Sequence, residues 1–269
     1  MRPTIPLILE PEELVALKSQ PDILIVDLSA EPGYMESHIE AAVHIHPAEL
    51  VSGVQPATGK LPGIDRLETL FSRIGYHPGQ HIVACDDEGG GWAGRFIWTL
   101  DVIGHQHMSY LNGGMHAWTA LHLPTTAEVP RISPTTANIT INTHVIATKA
   151  EVLASLDNPD TVIWDARAPD EYAGTRKTAR RSGHIPGAVN LEWTRAMDLS
   201  RQLRIRTDIV ELLASVGISC DKKIITHCQT HHRSGFTYLI GKSLGLDIRA
   251  YDGSWSEWGN DPDTPIETG

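Results

Sequence analysis

TVIWDARAPDEY, residues 161–172, decides how this chain folds, because an earlier stretch nearly copies it: ILIVDLSAEPGY, residues 23–34. Each is an apolar run that ends on an aspartate, Asp165 or Asp27, then turns into a helix start. Short apolar runs without alternation describe strands buried on both faces. The copying continues in the same order. ESHIEAAVHI (36–45) matches SGHIPGAVNL (182–191), HIVACDDEGG (81–90) matches KIITHCQTHH (223–232), and LNGGMHAW (111–118) matches YDGSWSEW (251–258). The offsets are all about 140 residues. Four collinear matches mark a duplicated unit.

TTAEVPRISPTTANIT, residues 125–140, is rich in Thr and Pro and lacks a helical period. The expected division is a first domain over 1–124, a linker over 125–142 and a second domain over 143–269. Within each unit, strand-like runs such as LIVDL and KIITHC alternate with helix-like spacing, as at Phe236, Leu239, Ile240 and Leu244. That alternation predicts an α/β fold with a mostly parallel sheet covered on both faces. Ligands of such sheets bind beyond the carboxyl ends of the strands. Cys228 stands at that end of KIITHC.

Composition narrows the chemistry. The 269 residues carry a net charge of −11, which disfavours nucleic acid as a partner. No apolar run approaches the roughly 18–20 residues of a membrane helix. The start, MRPTIPLILEPEEL, lacks a signal-peptide core and cleavage site, so a cytoplasmic protein is expected. Cys85, Cys220 and Cys228 form no C-x-x-C pair, which argues against a disulfide framework. The fourteen histidines have no paired ligand spacing with cysteine, so no metal is expected. The adjacent His231 and His232 are poorly placed to chelate one ion together.

The segment from Cys228 through Gln229, Thr230, His231, His232, Arg233 and Ser234 to Gly235 lies between a strand and a helix. Backbone N–H groups converge at such a turn and make an anion site. The same field favours a thiolate. Arg233 adds a permanent positive charge. Cys228 is therefore the candidate nucleophile, activated without a neighbouring general base.

The loop CQTHHRSG, with SGHIPGAVN, WDARAPDEY and YDGSWSEW, resembles the tandem-domain rhodanese (thiosulfate sulfurtransferase) family, the Azotobacter-type bacterial members in particular. The resemblance covers both halves. It implies two rhodanese-like domains, each a mostly parallel five-stranded sheet flanked by helices, with the second catalytic. It also implies double displacement through a persulfide on Cys228, with thiosulfate as anionic donor and a thiophile, cyanide or a thiol, as acceptor. No cofactor is required, and a monomer is expected. Some vertebrate-type members place Arg where this chain has Pro186, so the substrate anion is expected on Arg233 instead. Mercaptopyruvate-type relatives usually carry a C-G-[S/A]-G-like loop. The two His and the Arg here favour thiosulfate, with 3-mercaptopyruvate transfer and a desulfurase-fed persulfide carrier as the alternatives. Tyrosine phosphatases share the pattern but place five residues between Cys and Arg. Here four intervene, which makes a cradle suited to sulfur.

In the first half Asp86 takes the place of Cys228, within DDEGGGWAG. A carboxylate cannot carry sulfur, so this half is expected to be inactive. Its glycine run lacks the Lys-Ser/Thr of a phosphate loop. Cys85 ends an apolar strand and reads as a core residue, and Cys220 as a loop residue. Asp165 is expected to hydrogen-bond backbone near the reactive loop. His184, which recurs as His38, is expected to be structural, and Trp193 and Trp255 are read as supporting residues that line the pocket rim, with the core as the commoner place for aromatics at such spacing. Arg176, Lys177, Arg180 and Arg181 form a basic stretch absent from the first half, either solvated or steering.

Overall fold

The computed structural model describes residues 5–269; the first four residues of the stretch read above for a leader lie outside it. The first half runs β1 (Ile8–Leu9), α1 (Pro11–Leu17), β2 (Ile23–Asp27), α2 (Glu31–Glu36), β3 (Val43–His44), α3 (Ile64–Arg73), β4 (His81–Cys85), α4 (Gly91–Val102), β5 (Met108–Leu111) and α5 (Gly114–Ala120). The second runs α6 (Lys149–Ser155), β6 (Thr161–Asp165), α7 (Pro169–Tyr172), β7 (Val189–Asn190), β8 (Met197–Asp198), β9 (Arg204–Ile205), α8 (Ile209–Ala214), β10 (Lys223–His227), α9 (Arg233–Ser243), β11 (Asp247–Ala250) and α10 (Ser254–Trp258).

Each half is built on a parallel sheet. The orders are β1-β5-β4-β2-β3 and β11-β10-β6-β7, and β8 and β9 form a separate antiparallel pair. The runs that looked doubly buried are so: Val83, Ala84 and Cys85 of β4 have no exposed surface. The registers Asp27 to Cys85 and Asp165 to His227 bring the paired strand ends of each half to the same level.

The expected fifth strand of the second sheet is reduced to one parallel bridge, Ile146 to Ala250. Its neighbours explain the loss. A 3-10 turn occupies Thr143–Val145, and Thr148 already caps α6 through a reciprocal pair with Glu151. Only two residues remain free to extend.

Residues 127–142 contain no helix or strand, yet they are fastened to the first half. The N–H groups of Thr135, Ala137 and Ile139 donate to Ser72 O, Ser72 Oγ and Glu68 Oε1 of α3.

The halves join where α4 crosses α9. A Cβ on Gly94 would sit 2.5 Å from the Gly235 carbonyl oxygen, and one on Gly235 would sit 2.4 Å from Arg95 N. Only glycine permits that approach. Because the crossing lies near both helix starts, it sets the loops 86–90 and 228–232 side by side.

Candidate active site

Cys228 follows β10 and is 1% exposed. The N-terminal end of α10 anchors it: Trp255 N–H donates to the Cys228 carbonyl at 2.9 Å, and Ser256 N–H to that of Gln229 at 3.0 Å. His231 adopts φ 55°, a left-handed conformation that turns the chain sharply before α9. Among the described residues, no acceptor takes the N–H groups of Thr230, His231 or His232.

The first half shows what such a loop binds. Asp86 Oδ1 accepts the N–H groups of Glu88, Gly89 and Gly90 at 3.3, 3.2 and 2.8 Å, and Oδ2 accepts that of Ala93 at 2.9 Å. The carboxylate fills its own cradle. Burial and the Glu88 carboxylate push Asp86 up to about 6, and the N–H donors oppose that rise. The loops are equally long but not identical in path. Gly90 adopts φ 106°, whereas its counterpart His232 has φ −90°, avoiding a conformation that strains a side chain.

Burial pushes the Cys228 thiol up, but Arg233, the Ser234 hydroxyl and N–H, and His232 outweigh it and hold the thiol below its ordinary value. Arg233, expected from the sequence to meet the substrate anion, is itself paired. Its two terminal nitrogens clasp Glu171 at 2.5 and 3.0 Å. Arg176 reaches the same carboxylate at 2.8 Å. Glu171 went unnoticed in the sequence, although its counterpart Gly33 offered a signal: the charge exists only in the half with the cysteine. Arg233→Ala should cut the rate of Cys228 loading by about 10–100-fold at neutral pH, the worth of a charge-assisted contact. The thiolate is the nucleophile, so raising the thiol pKa moves the rising limb of the rate to higher pH. Alkylation of Cys228 across pH checks this; an unmoved limb refutes the role.

The first half grips three successive loop residues. A Cβ on Gly59 would collide with Thr230 O at 2.0 Å. Arg95, fully buried, donates to Gly59 O, Leu50 O and His231 O at 2.8, 2.7 and 3.4 Å. The His232 ring bonds Glu88 and stacks on Trp92 at 4.4 Å. The His231 ring bonds Ser234 Oγ at 2.7 Å and meets Trp98 edge-on. The two rings are thus committed to different partners.

These features are those of a thiolate anion cradle on a duplicated α/β unit. Residues 10–121 and 148–261 each match the Rhodanese-like domain family. The chain belongs to the rhodanese family. Thiosulfate sulfurtransferases of Pseudomonas aeruginosa and Azotobacter vinelandii are each 50% identical to it, over 98% of this chain and 97% and 98% of their own lengths. The sulfur carrier protein TtuD of Thermus thermophilus is 30% identical over 74% of this chain and 75% of its own. Among solved structures, the anaerobic ergothioneine biosynthesis enzyme from Chlorobium limicola shares the fold, with 21% identity and a TM-score of 0.85 over 98% of this chain and 70% of that one.

Several readings of this rhodanese change in three dimensions. Asp165 does accept a backbone N–H, but that of Arg167 on its own loop, at 3.0 Å. Its main partner is the Arg167 guanidinium, and His227 Nε2 lies 3.6 Å away. Trp255 is not at a rim. It is wholly buried, with Arg167 over its ring at 4.4 Å. Trp193 is half-buried and faces the rings of His232 and Phe236. His184 and His38 stack on Tyr172 and Tyr34 in matching fashion. The Gln229 side chain points away from the cradle's N–H groups to Thr178.

Proposed function

We propose that this rhodanese is a thiosulfate:acceptor sulfurtransferase in which Cys228 carries the sulfur and the first half is catalytically silent. The observation that carries this is the pair of equivalent loops. One holds its own carboxylate on converging N–H groups, and the other presents a thiol there with a lowered pKa. The naming of the relatives half identical to it supports thiosulfate as the donor.

The steps balance without a cofactor. The Cys228 thiolate attacks the outer sulfur of thiosulfate. The S–S bond breaks, and sulfite leaves with the electron pair. The persulfide anion rests against the N–H groups of the loop, with Arg233 behind them. Fixed donors of this kind stabilise developing charge without reorganising. A thiophile then takes the outer sulfur, and the Cys228 thiolate returns. Cyanide would leave as thiocyanate. Three cysteines free of disulfides fit a reducing compartment, which agrees with a cytoplasmic location. Among the described residues no helix is long and apolar enough to cross a membrane.

Thiosulfate treatment should add one sulfur to the peptide bearing Cys228, seen by mass spectrometry, and cyanide should remove it. Absence of that sulfur would sink the proposal. The likeness to a protein named as a sulfur carrier keeps a second reading alive. In that reading loading by a desulfurase is fast and thiocyanate turnover slow.

A further inference from the structure

The second half contains an insertion beside the reactive loop. Tyr34 and Glu36 are two positions apart, whereas their counterparts Tyr172 and Ser182 are ten apart. The extra chain is tied down at both ends. Arg176 N–H donates to the Asp170 carbonyl at 3.0 Å, and its side chain pairs with Asp170 and Glu171 at 3.2 and 2.8 Å. Arg180 N–H donates to Asn260 Oδ1 at 3.0 Å. The Arg181 guanidinium donates to the carbonyls of Trp258 and Thr264 at 3.1 and 2.7 Å. Between these anchors Thr178 clasps Gln229. The Thr178 hydroxyl donates to Gln229 Oε1 at 2.8 Å, and Gln229 Nε2 donates back to the Thr178 carbonyl at 3.0 Å. Gln229 directly follows Cys228. The insertion therefore lies against the reactive loop.

Two of its cations are uncommitted. Lys177 and Arg180 are exposed, and among the described residues neither side chain has a hydrogen-bond or ion-pair partner. Exposed cations on a loop are usually only solvated. Two observations set these apart. The chain as a whole carries −11, so its long-range field repels an anion. Three carboxylates beside its anchors are already engaged: Asp170 and Glu171 by Arg176 and Arg233, and Asp261 by Lys149. Lys177 adjoins Thr178 and Arg180 lies two residues beyond it, so both charges stand on the segment that clasps Gln229, and none of these three carboxylates pairs with them.

We propose that residues 175–181 form a cationic strap beside the reactive loop, and that Lys177 and Arg180 draw in the small anionic sulfur donor. The proposal rests on the sulfurtransferase reading, and its test separates the two. Lys177→Glu/Arg180→Glu and Lys177→Gln/Arg180→Gln variants are compared with the native chain. Thiosulfate turnover is one readout. The other is the ratio of Cys228 alkylation rates by anionic iodoacetate and neutral iodoacetamide.

At about 0.01 M ionic strength, where charges act over about 30 Å, the Glu variant should lose about tenfold in kcat/KM with kcat unchanged. The iodoacetate:iodoacetamide ratio should fall alongside it, with the Gln variant between. At about 1 M salt the reach shrinks to about 3 Å, and the three proteins should converge. A ratio equal in all three at low salt overturns the strap. A ratio that falls in a protein whose native form does not turn over thiosulfate supports the strap and rejects the sulfurtransferase reading.

Discussion

Cys228→Ala should abolish sulfur transfer, lowering turnover by about four orders of magnitude or more, while Cys85→Ala and Cys220→Ser should leave it intact. The first loss removes the atom that holds the transferred sulfur, and no positioning effect replaces a covalent nucleophile. Cys85 differs in kind. It has no exposed surface, and burial with the carboxylates of Asp27, Asp86 and Asp87 pushes its thiol well above the ordinary range. Such a thiol is neither ionised nor reachable at neutral pH. Cys220 is exposed, but it lies in the turn before β10, at the opposite end of that strand from Cys228. Steady-state thiocyanate formation separates the three variants. A comparable loss in Cys85→Ala would overturn the assignment of the first half as silent.

Asp165→Ala should destabilise the protein by about 3–5 kcal/mol, the cost of stranding a buried charge. Asp165 and Arg167 are both fully buried, and their side chains pair at 2.6 Å. Removing the carboxylate leaves the guanidinium with Gly183 O, at 2.8 Å, Glu171 O, at 3.5 Å, and the Trp255 face. The control is Asp27→Ala. Asp27 accepts the Ser29 N–H at 2.8 Å, with no buried cation to strand, so a loss of about 1–3 kcal/mol is expected. Urea unfolding of both variants checks the contrast, and equal losses would show that the ion pair is not the cause. Burial raises the Asp165 pKa, but His227 and Arg167 reverse this and leave it below the ordinary carboxylate value. Its stabilising contribution is therefore present above that value and is lost as pH falls through the lower native pKa.

The duplication, the strand-turn-helix loops and the place of Cys228 were all legible in adjacent residues. A strand that runs VIWD or IITH and stops at a turn declares its burial within five residues, and the copied half confirms the period. The contrast between the halves was equally legible, since Asp86 stands in the first where the second has its cysteine. The number of strands was not. Ile146 has a strand former's side chain, but a 3-10 turn and a helix cap close around it. Nor could the sequence separate Trp193 from Trp255, since both are large aromatics near a glycine or a turn. Only packing puts Trp255 beneath Arg167 and leaves Trp193 against the loop.

Sequence alone thus singled out Cys228 as the candidate nucleophile, because a nucleophile in an anion cradle needs only a strand end, a tight turn and a helix start, all contiguous in the chain. Tertiary structure alone decided how that cysteine is charged and held. Glu171 meets Arg233 across 62 residues, Glu88 meets His232 across 144, and Arg95 meets His231 across 136. Parallel pairing of β6 with β10 and the glycine crossing of α4 with α9 bring these groups together. No local pattern encodes a contact whose partners are joined only by the fold.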